Sequence, residues 1–506
     1  MTTKPRLIAV VGATGTGKSD LAVALASRFN GEILNGDAMQ LYQGLPVITN
    51  KIPVSDRRGI PHHLLGCIGL DEQPWTVGRF VPEALKIIAE IRSRGKLPIL
   101  VGGTHYYTQS LLFNDALAGH ATIEDRATIP HSSNESPKDP GSNGHGTGAV
   151  DDTILDASTE EILAKLTEVD PVMASRWHPN ERRKIKRSLE IWLQTGRKAS
   201  DIYAEQKARQ NDETQGTANG TNGSQSHAPA NGSHTESGGS AMVDDQGGLR
   251  ADTLIFWIHA DTDSLYERLN MRVDKMMQHG LLDEVRELSS YAEEHPHIDR
   301  KSGIWVSIGY KEFLPYMAYQ ENLAAESQDL TPAASTHVTT EAKLLKEAIE
   351  ATQAGTRHYA KRQVNWIRIK LLNALKIAKS SNNGRLYLLN GTSLDEYCHD
   401  VVAKAETLTE RWLNADEMPD PTTLSETAAQ LLKPKRDDLS NSIGKWERQY
   451  CQACDMVGTT PSDWEQHIKS RRHKHAIAKA RKAKHGQSDA DTRPVVGAVN
   501  SSDSLK

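Results

Sequence analysis

Eight consecutive residues near the start of the chain have types and spacing suited to holding phosphate. Gly12-Ala13-Thr14-Gly15-Thr16-Gly17-Lys18-Ser19 follows the apolar run Leu7 to Val11 and precedes a helical pattern. This is the GxxxxGK[ST] spacing, in which glycines let backbone N–H groups turn inward onto phosphate oxygens. Lys18 is placed to reach the outer phosphate, and the Ser19 hydroxyl to bind Mg²⁺. The next helix puts Leu21, Ala22, Leu25 and Ala26 inward and aims its N-terminus at the anion. A chance glycine turn rarely fills all eight positions between a strand and a helix. The motif implies a polyphosphate without naming the compound.

Two further strand ends carry chemistry. Asp37 follows the short strand Glu32 to Leu34, and Gly102-Gly103-Thr104 follows the strand Leu97 to Val101. An ordinary phosphate-loop ATPase places an acid directly after a strand of the latter kind, to hold the metal's water shell. Here that place holds glycine, and the conspicuous acid sits on the other strand. The pattern fits a site where Asp37 handles a proton and Thr104 touches phosphate or the attacking group. At the far end, Cys451 and Cys454 are followed by His467 and His473 in CxxC…HxxxxxH spacing. That is the ligand spacing of a tetrahedral structural Zn²⁺ site on a ββα unit, with Tyr450 and Trp464 as its small core. Cys67 and Cys398 match no motif and read as packing residues.

These groups need a frame, and residues 1–114 alternate apolar strands with helical patterns, as a parallel α/β sheet does. One helix is expected over about Val77 to Arg94, with Phe80, Ala84, Ile88 and Ile91 inward. Residues 115–152 lack apolar periodicity and read as a disordered insertion. Residues 153–207 are helical again. Asp170-Pro171 starts one helix there, and Asn180 is expected to cap the next. Between Arg176 and Lys198 stand eight basic and two acidic residues. A solvated helix face is the commoner cause of such charge, but the imbalance points to a phosphate-backbone surface. Residues 208–250 read as a second disordered linker. Residues 251–400 complete the core. They include a helix carrying Arg268, Arg272 and Lys275 on one face, a low-complexity stretch near 324–340, and a long helix from about Leu344. On that long helix Arg357, Lys361 and Arg368 lie beside the buried stripe. Residues 401–444 read as a linker, 445–485 as the finger with a basic tail, and 486–506 as a disordered tail.

Composition narrows the class. The 506 residues leave room for two or three domains, and the hydrophobic fraction of 37% suits a core interrupted by long unfolded insertions. A formal net charge of −5 leaves any nucleic-acid binding to local patches. Four cysteines argue against a secreted disulfide framework. No apolar run approaches a membrane span. The first strand begins near Arg6, so no targeting peptide is expected. The cytoplasm is the expected compartment, with nuclear and mitochondrial pools left open, and a monomer is the default.

Taken together, GATGTGKS, GDAMQLYQGLPVITNK, PHHLLG, GGTHYY, HPNERRKIKR, RVDKMMQHGLLDEV, SIGYKEF and YAKRQVNWIR resemble the tRNA dimethylallyltransferases, in that family's order. The finger resembles the one on eukaryotic members. The resemblance covers most of residues 6 to about 372, and the finger besides. It implies a P-loop NTPase-like core, an inserted helical domain that binds the tRNA anticodon stem-loop, and a C-terminal zinc finger. It implies transfer of a dimethylallyl group from dimethylallyl diphosphate to N6 of the adenosine 3′ to the anticodon. Under it, Gly12, Thr14, Gly15, Thr16, Gly17, Lys18 and Ser19 cradle a diphosphate, and Arg272 neutralises charge on that leaving group. Asp37 is the base and Thr104 lies close to it. Asp37, Ala38, Met39 and Gln40 contact tRNA, as do Arg183, Lys184, Ile185, Lys186 and Arg187. Family members commonly have Ser where this chain has Ala38, and Arg or Gln where it has His358.

Three rivals are weighed. An adenylate isopentenyltransferase acting on free AMP, ADP or ATP would need neither the basic helix nor the finger. A phosphate-loop nucleotide kinase fits poorly with Gly102-Gly103-Thr104 and lacks an obvious arginine lid. A non-catalytic RNA-binding protein would not need Lys18, Asp37, Thr104 and Arg272 together.

Overall fold

The structure is a computed structural model that describes residues 5–114, 152–205, 248–326, 334–378, 384–435, 449–454, 456–458 and 461–478. The disordered segments expected at 115–152, 208–250 and 486–506 lie, except for a few edge positions, outside the described residues. The chain divides into two compact units. One is Met1–Leu117 with Ser224–Asp438, and the other is Ala118–Gly223 with Leu439–Lys506.

The first unit is built on a six-stranded sheet. It opens with β1 (Arg6–Gly12), α1 (Lys18–Arg28), β2 (Gly31–Asn35), β3 (His62–His63), α2 (Val77–Ser93), β4 (Leu97–Val101) and α3 (His105–Leu112). It resumes with β5 (Asp252–His259) and ends its sheet with β6 (Gly384–Asn390). The strand order is β3-β2-β4-β1-β5-β6, and every pair is parallel. Alternate residues feed opposite faces. Leu7, Ala9, Val11, Leu100, Ile255 and Trp257 enter one core, and Ile8, Val10, Ile99, Val101, Leu254 and Phe256 the other. With both faces covered, the strands are continuously apolar. The chain crosses from β1 to β2, returns to insert β4 between them, and then builds β5 and β6 on the other side. A crevice at the carboxyl ends follows from that reversal, and ligands bind there in open α/β sheets.

Between β5 and β6 lie α7 (Thr262–Gln278), α8 (Leu281–Glu294), α9 (Leu314–Glu326), α10 (Ala334–Trp366) and α11 (Leu372–Ile377). A π-helical turn, Ile367–Leu371, joins the last two. The low-complexity stretch near 324–340 therefore contains the first turns of α10. The linker expected from residue 401 is corrected. A π-helical turn (Cys398–Ala403) and α12 (Lys404–Leu413) fill its first part, and α13 (Glu426–Leu431) lies further along it. Val401, Ala405, Leu408 and Trp412 recur at helical spacing and are all buried in the sheet's second core. The Trp412 indole N–H also donates to Asp252 at 3.1 Å. Cys67 and Cys398, expected as packing residues, are both exposed. No described helix is long and apolar enough to cross a membrane.

The second unit contains α4 (Thr159–Val169), α5 (Pro171–Arg176) and α6 (Arg182–Thr195). Ser158 and Glu161 form a reciprocal capping box on α4. Asp170 is fully buried, caps α5 through the Met173 N–H at 3.1 Å and accepts from the Ser200 N–H at 2.9 Å. The expected Asn180 cap is corrected: Glu181 stands at the N-cap of α6 and makes no side-chain cap bond. Ile162, Leu166, Met173, Ile185 and Leu189 form the core of these helices. The same unit contains β7 (Gln449–Cys451), β8 (Met456–Gly458) and α14 (Pro461–Lys469), a ββα module.

Candidate active site

Three strand ends and two helices build the site. After β1, Gly12 to Ser19 make the turn into α1. Gly17 has φ +84°, and a Cβ there would lie 2.6 Å from the Tyr397 hydroxyl oxygen, so only glycine fits. The Tyr397 hydroxyl donates to the Gly17 carbonyl at 2.6 Å and braces the loop from outside. Thr16 folds its hydroxyl onto the Ala13 carbonyl at 2.9 Å, and Lys18 Nζ donates to the same oxygen at 2.7 Å. Ser19 stands in the first turn of α1. Lys18 has its pKa lowered to about 8 by burial; nearby Asp37 opposes the shift and Arg272 adds to it.

After β2, Asn35 Nδ2 holds the Asp37 carbonyl at 3.0 Å, and Asn35 Oδ1 accepts the Asp37 N–H at 3.0 Å. Asp37 Oδ1 accepts the Met39 N–H at 3.0 Å. Burial pushes the Asp37 carboxyl above the usual carboxylate range, against hydrogen bonds from the Met39, Gly103 and Gln40 backbones and the charge of Lys18. After β4, the Thr104 hydroxyl accepts the Ala38 N–H at 2.9 Å, which ties the second strand end to the fourth. Packing explains the two glycines before Thr104. A Cβ at Gly102 would lie 2.2 Å from the Gly36 carbonyl carbon, and one at Gly103 2.7 Å from Asp37 Oδ2. An acid cannot stand directly after β4, because the backbone of the β2 end already fills that space.

Arg272 reaches in from α7 and donates to Thr14 Oγ1 at 2.7 Å. Its Nε is buried with no hydrogen-bond partner among the described residues. Burial lowers its pKa to about 10, with Asp37 opposing. A buried guanidinium with an unused N–H beside a phosphate-type loop is suited to an anion. Arg268, expected on the same face, instead donates to the Gly391 and Thr392 carbonyls and fastens the loop after β6. Lys275 is exposed.

These groups open onto one cavity of about 500 Å³, lined by Asp37, Met39, Thr104, Arg272, Gln363 and Trp366 among others. Thr14 and Gln40 also line it. Ala38 is not among the lining residues; its N–H bonds Thr104 and its methyl packs against the core. Sequence reasoning missed the wall supplied by α10. Thr352, Thr356, Tyr359 and Gln363 all line the cavity, at intervals of four, three and four residues. That polar stripe on one helix face was the available signal. His105 was also missed. Burial, with Lys18 adding to it, lowers its pKa to about 3, so it is neutral at the cavity wall.

The basic helix of the second unit is less free than its composition suggested. Lys184 pairs with Glu181 at 2.6 Å, Lys186 with Asp156 at 3.4 Å and Arg187 with Glu190 at 3.2 Å. Arg183 is exposed. The Ile185 side chain is fully buried in the helical core, as its helical spacing with Leu189 and Trp192 predicts, whereas Arg176, counted with the basic residues, is buried with its guanidinium over the Trp177 and Tyr203 rings.

In the ββα module, the ligand atoms of Cys451, Cys454, His467 and His473 all lie within 4.8 Å of one another. His473 Nδ1 stands 3.5 Å from each sulfur and 3.1 Å from His467 Nε2. Tetrahedral zinc with Zn–S of about 2.3 Å and Zn–N of about 2.0 Å needs ligand separations of this size. Trp464 packs over Gly458 and His467, but Tyr450, expected in the small core, is 56% exposed.

Comparison with known proteins agrees with this arrangement. The family model described as IPP transferase matches residues 40–370, and a model of a C2H2-type zinc finger matches residues 449–473. A tRNA dimethylallyltransferase of Schizosaccharomyces pombe is 33% identical, over 93% of this chain and 94% of its own. That of Saccharomyces cerevisiae is 30% identical, over 93% of this chain and 91% of its own. A crystal structure of a eukaryotic dimethylallyltransferase acting on tRNA is similar with a TM-score of 0.66 at 28% identity, over 96% of this chain and 100% of that one.

Proposed function

The chain belongs to the IPP transferase family, and we propose that it transfers the dimethylallyl group of dimethylallyl diphosphate to N6 of the adenosine 3′ to a tRNA anticodon. The products are N6-isopentenyladenosine and diphosphate. The observation that carries this reading is a carboxylate, Asp37, in the same cavity as a phosphate-type loop and a buried arginine. The leaving group is an anion that Lys18, Arg272 and the loop N–H groups hold and stabilise as the C–O bond breaks. The allylic carbon becomes electron-poor as the diphosphate departs. The exocyclic amine attacks it poorly on its own, because its lone pair is delocalised into the purine. Asp37 orients the N–H and takes the proton as the N–C bond forms. Its raised pKa makes it a stronger base than an ordinary carboxylate. Thr104 holds the Ala38 peptide and stays within reach of the reacting groups.

The adenosine must leave its stack to enter a cavity of this depth. Met39 and Gln40 at the cavity wall, and exposed Arg183 on the basic helix, support contacts to the RNA. Ser19 is the loop hydroxyl that would hold Mg²⁺, which would add positive charge against the diphosphate. The zinc module gives structural order to residues 449–473. The proposed compartment is the cytoplasm, with nuclear and mitochondrial pools left open, and the proposed state is the default monomer. Free adenylate as acceptor is the lesser reading, since the relatives named above are tRNA enzymes and this chain matches them over more than nine-tenths of its length. Radiolabelled dimethylallyl diphosphate with Mg²⁺ and unmodified tRNA or AMP separates the two. Label on tRNA alone is expected. Label on AMP would replace this reading, and label on neither would refute both.

A further inference from the structure

Gln363 is 4% exposed, in a helix face otherwise occupied by apolar and hydroxyl side chains. Its Oε1 accepts the Thr14 N–H at 2.8 Å, and its Nε2 donates to the Gly103 carbonyl at 2.9 Å. The partners fix the amide's orientation, since a backbone N–H can only donate and a carbonyl only accept. The Tyr359 hydroxyl, one helical turn away, donates to the same carbonyl at 3.2 Å. The other side of that glycine faces the base: Gly103 is pressed against the Asp37 carboxylate, where an added Cβ would lie 2.7 Å from Oδ2. Thr14 is held from a second direction, since its Oγ1 accepts from Arg272. One continuous line therefore runs from Arg272 through Thr14, Gln363 and Gly103 to Asp37.

We infer that Gln363 is a positioning residue: its amide clips the phosphate loop to the Gly102–Thr104 turn and, through Gly103, keeps Asp37 in register with the bound donor. The inference rests on the function proposed above, in which the loop holds the leaving group and Asp37 faces the amine. The loop follows β1 and Asp37 follows β2, with β4 between those strands, and Gln363 bonds both the loop and the Gly102–Thr104 turn after β4. Transfer needs the allylic carbon and the amine nitrogen at a near-attack distance of about 3–3.5 Å, and a misplacement of about 1 Å can cost about 100-fold. A side chain with one donor and one acceptor at this reach meets both partners. Glutamate supplies only acceptors and methionine neither strong donor nor acceptor, although both nearly match glutamine in length.

The test uses the full chain, with the Gln363→Met and Gln363→Glu variants. Hydrogen exchange is followed at Thr14 and Gly103, with the affinity for inorganic diphosphate and the single-turnover rate on tRNA. Gln363→Met should speed exchange at both peptides and lower the transfer rate at least about tenfold, with diphosphate affinity within about threefold. Gln363→Glu keeps the acceptor for Thr14, loses the donor to Gly103, and should also be slow. Unchanged exchange in Gln363→Met overturns the clip whatever reaction the enzyme performs. So does a rate loss that only tracks lost diphosphate affinity. If Gln363→Met does not fold, a normal rate in Gln363→Glu overturns it. A wild-type protein that labels no tRNA sinks the proposed function instead, and the exchange result still decides the clip.

Discussion

An Asp37→Asn substitution separates the two tasks assigned to this carboxylate. The carboxamide keeps the shape and can still accept the Met39 N–H that Asp37 Oδ1 takes at 3.0 Å. The local turn, also held by Asn35 and by the Ala38 to Thr104 bond, should stay in place. The amide cannot take the proton that the amine sheds as its nitrogen bonds to carbon. Loss of a positioned general base costs about 10²–10⁴ in rate, which corresponds to about 3–5 kcal/mol of barrier. The anion site should respond oppositely. Asp37 is the negative charge that favours the charged forms of Lys18 and Arg272. Removing it leaves two cations facing the diphosphate with one fewer competing anion, so diphosphate should bind at least as tightly as before. The assay is single-turnover transfer to saturating tRNA, with calorimetric titration of inorganic diphosphate. A rate within about threefold of wild type would refute the base. Lost diphosphate binding would refute the separation between the carboxylate and the anion site.

Other outcomes follow from the same geometry. The pH profile of kcat/KM for the donor should be bell-shaped. Its acidic limb falls as the raised Asp37 carboxyl gains a proton, and its basic limb falls near pH 8 as Lys18 loses one. Bound diphosphate holds that lysine proton, so the basic limb of kcat should lie higher; coincident basic limbs would exclude Lys18. Gly102→Ala drives a Cβ to 2.2 Å from the Gly36 carbonyl carbon and should destabilise the core by about 4 kcal/mol or more, read by thermal unfolding. A normal melting temperature would contradict the close approach. Cys454→Ser should lose zinc and expose residues 449–473 to protease while the sheet unit, which has its own cores, melts as before. Full zinc retention would exclude the four-ligand assignment.

The sequence alone determined those features whose chemistry depends on short spacing. The phosphate loop is eight contiguous residues, and the zinc ligands lie within residues 451–473. Continuous apolar strands likewise announced a sheet covered on both faces. Tertiary structure decided whatever joins distant segments or turns on which way a side chain faces. The Thr14 to Gln363 bond spans 349 positions, and no local pattern signals a pairing that only the packing of α10 over the sheet creates. Arg176 sits inside a basic run and reads as part of it, yet it is buried with its guanidinium over the Trp177 and Tyr203 rings. Residues 401–413 read as linker because polar residues interrupt their apolar stripe, although that stripe is buried against the sheet. Gly102 and Gly103 mark the boundary between the two kinds of knowledge. Their presence was legible at once. The reason for them, a second strand end and the Asp37 carboxylate pressed against the same backbone, exists only once β2 and β4 pair.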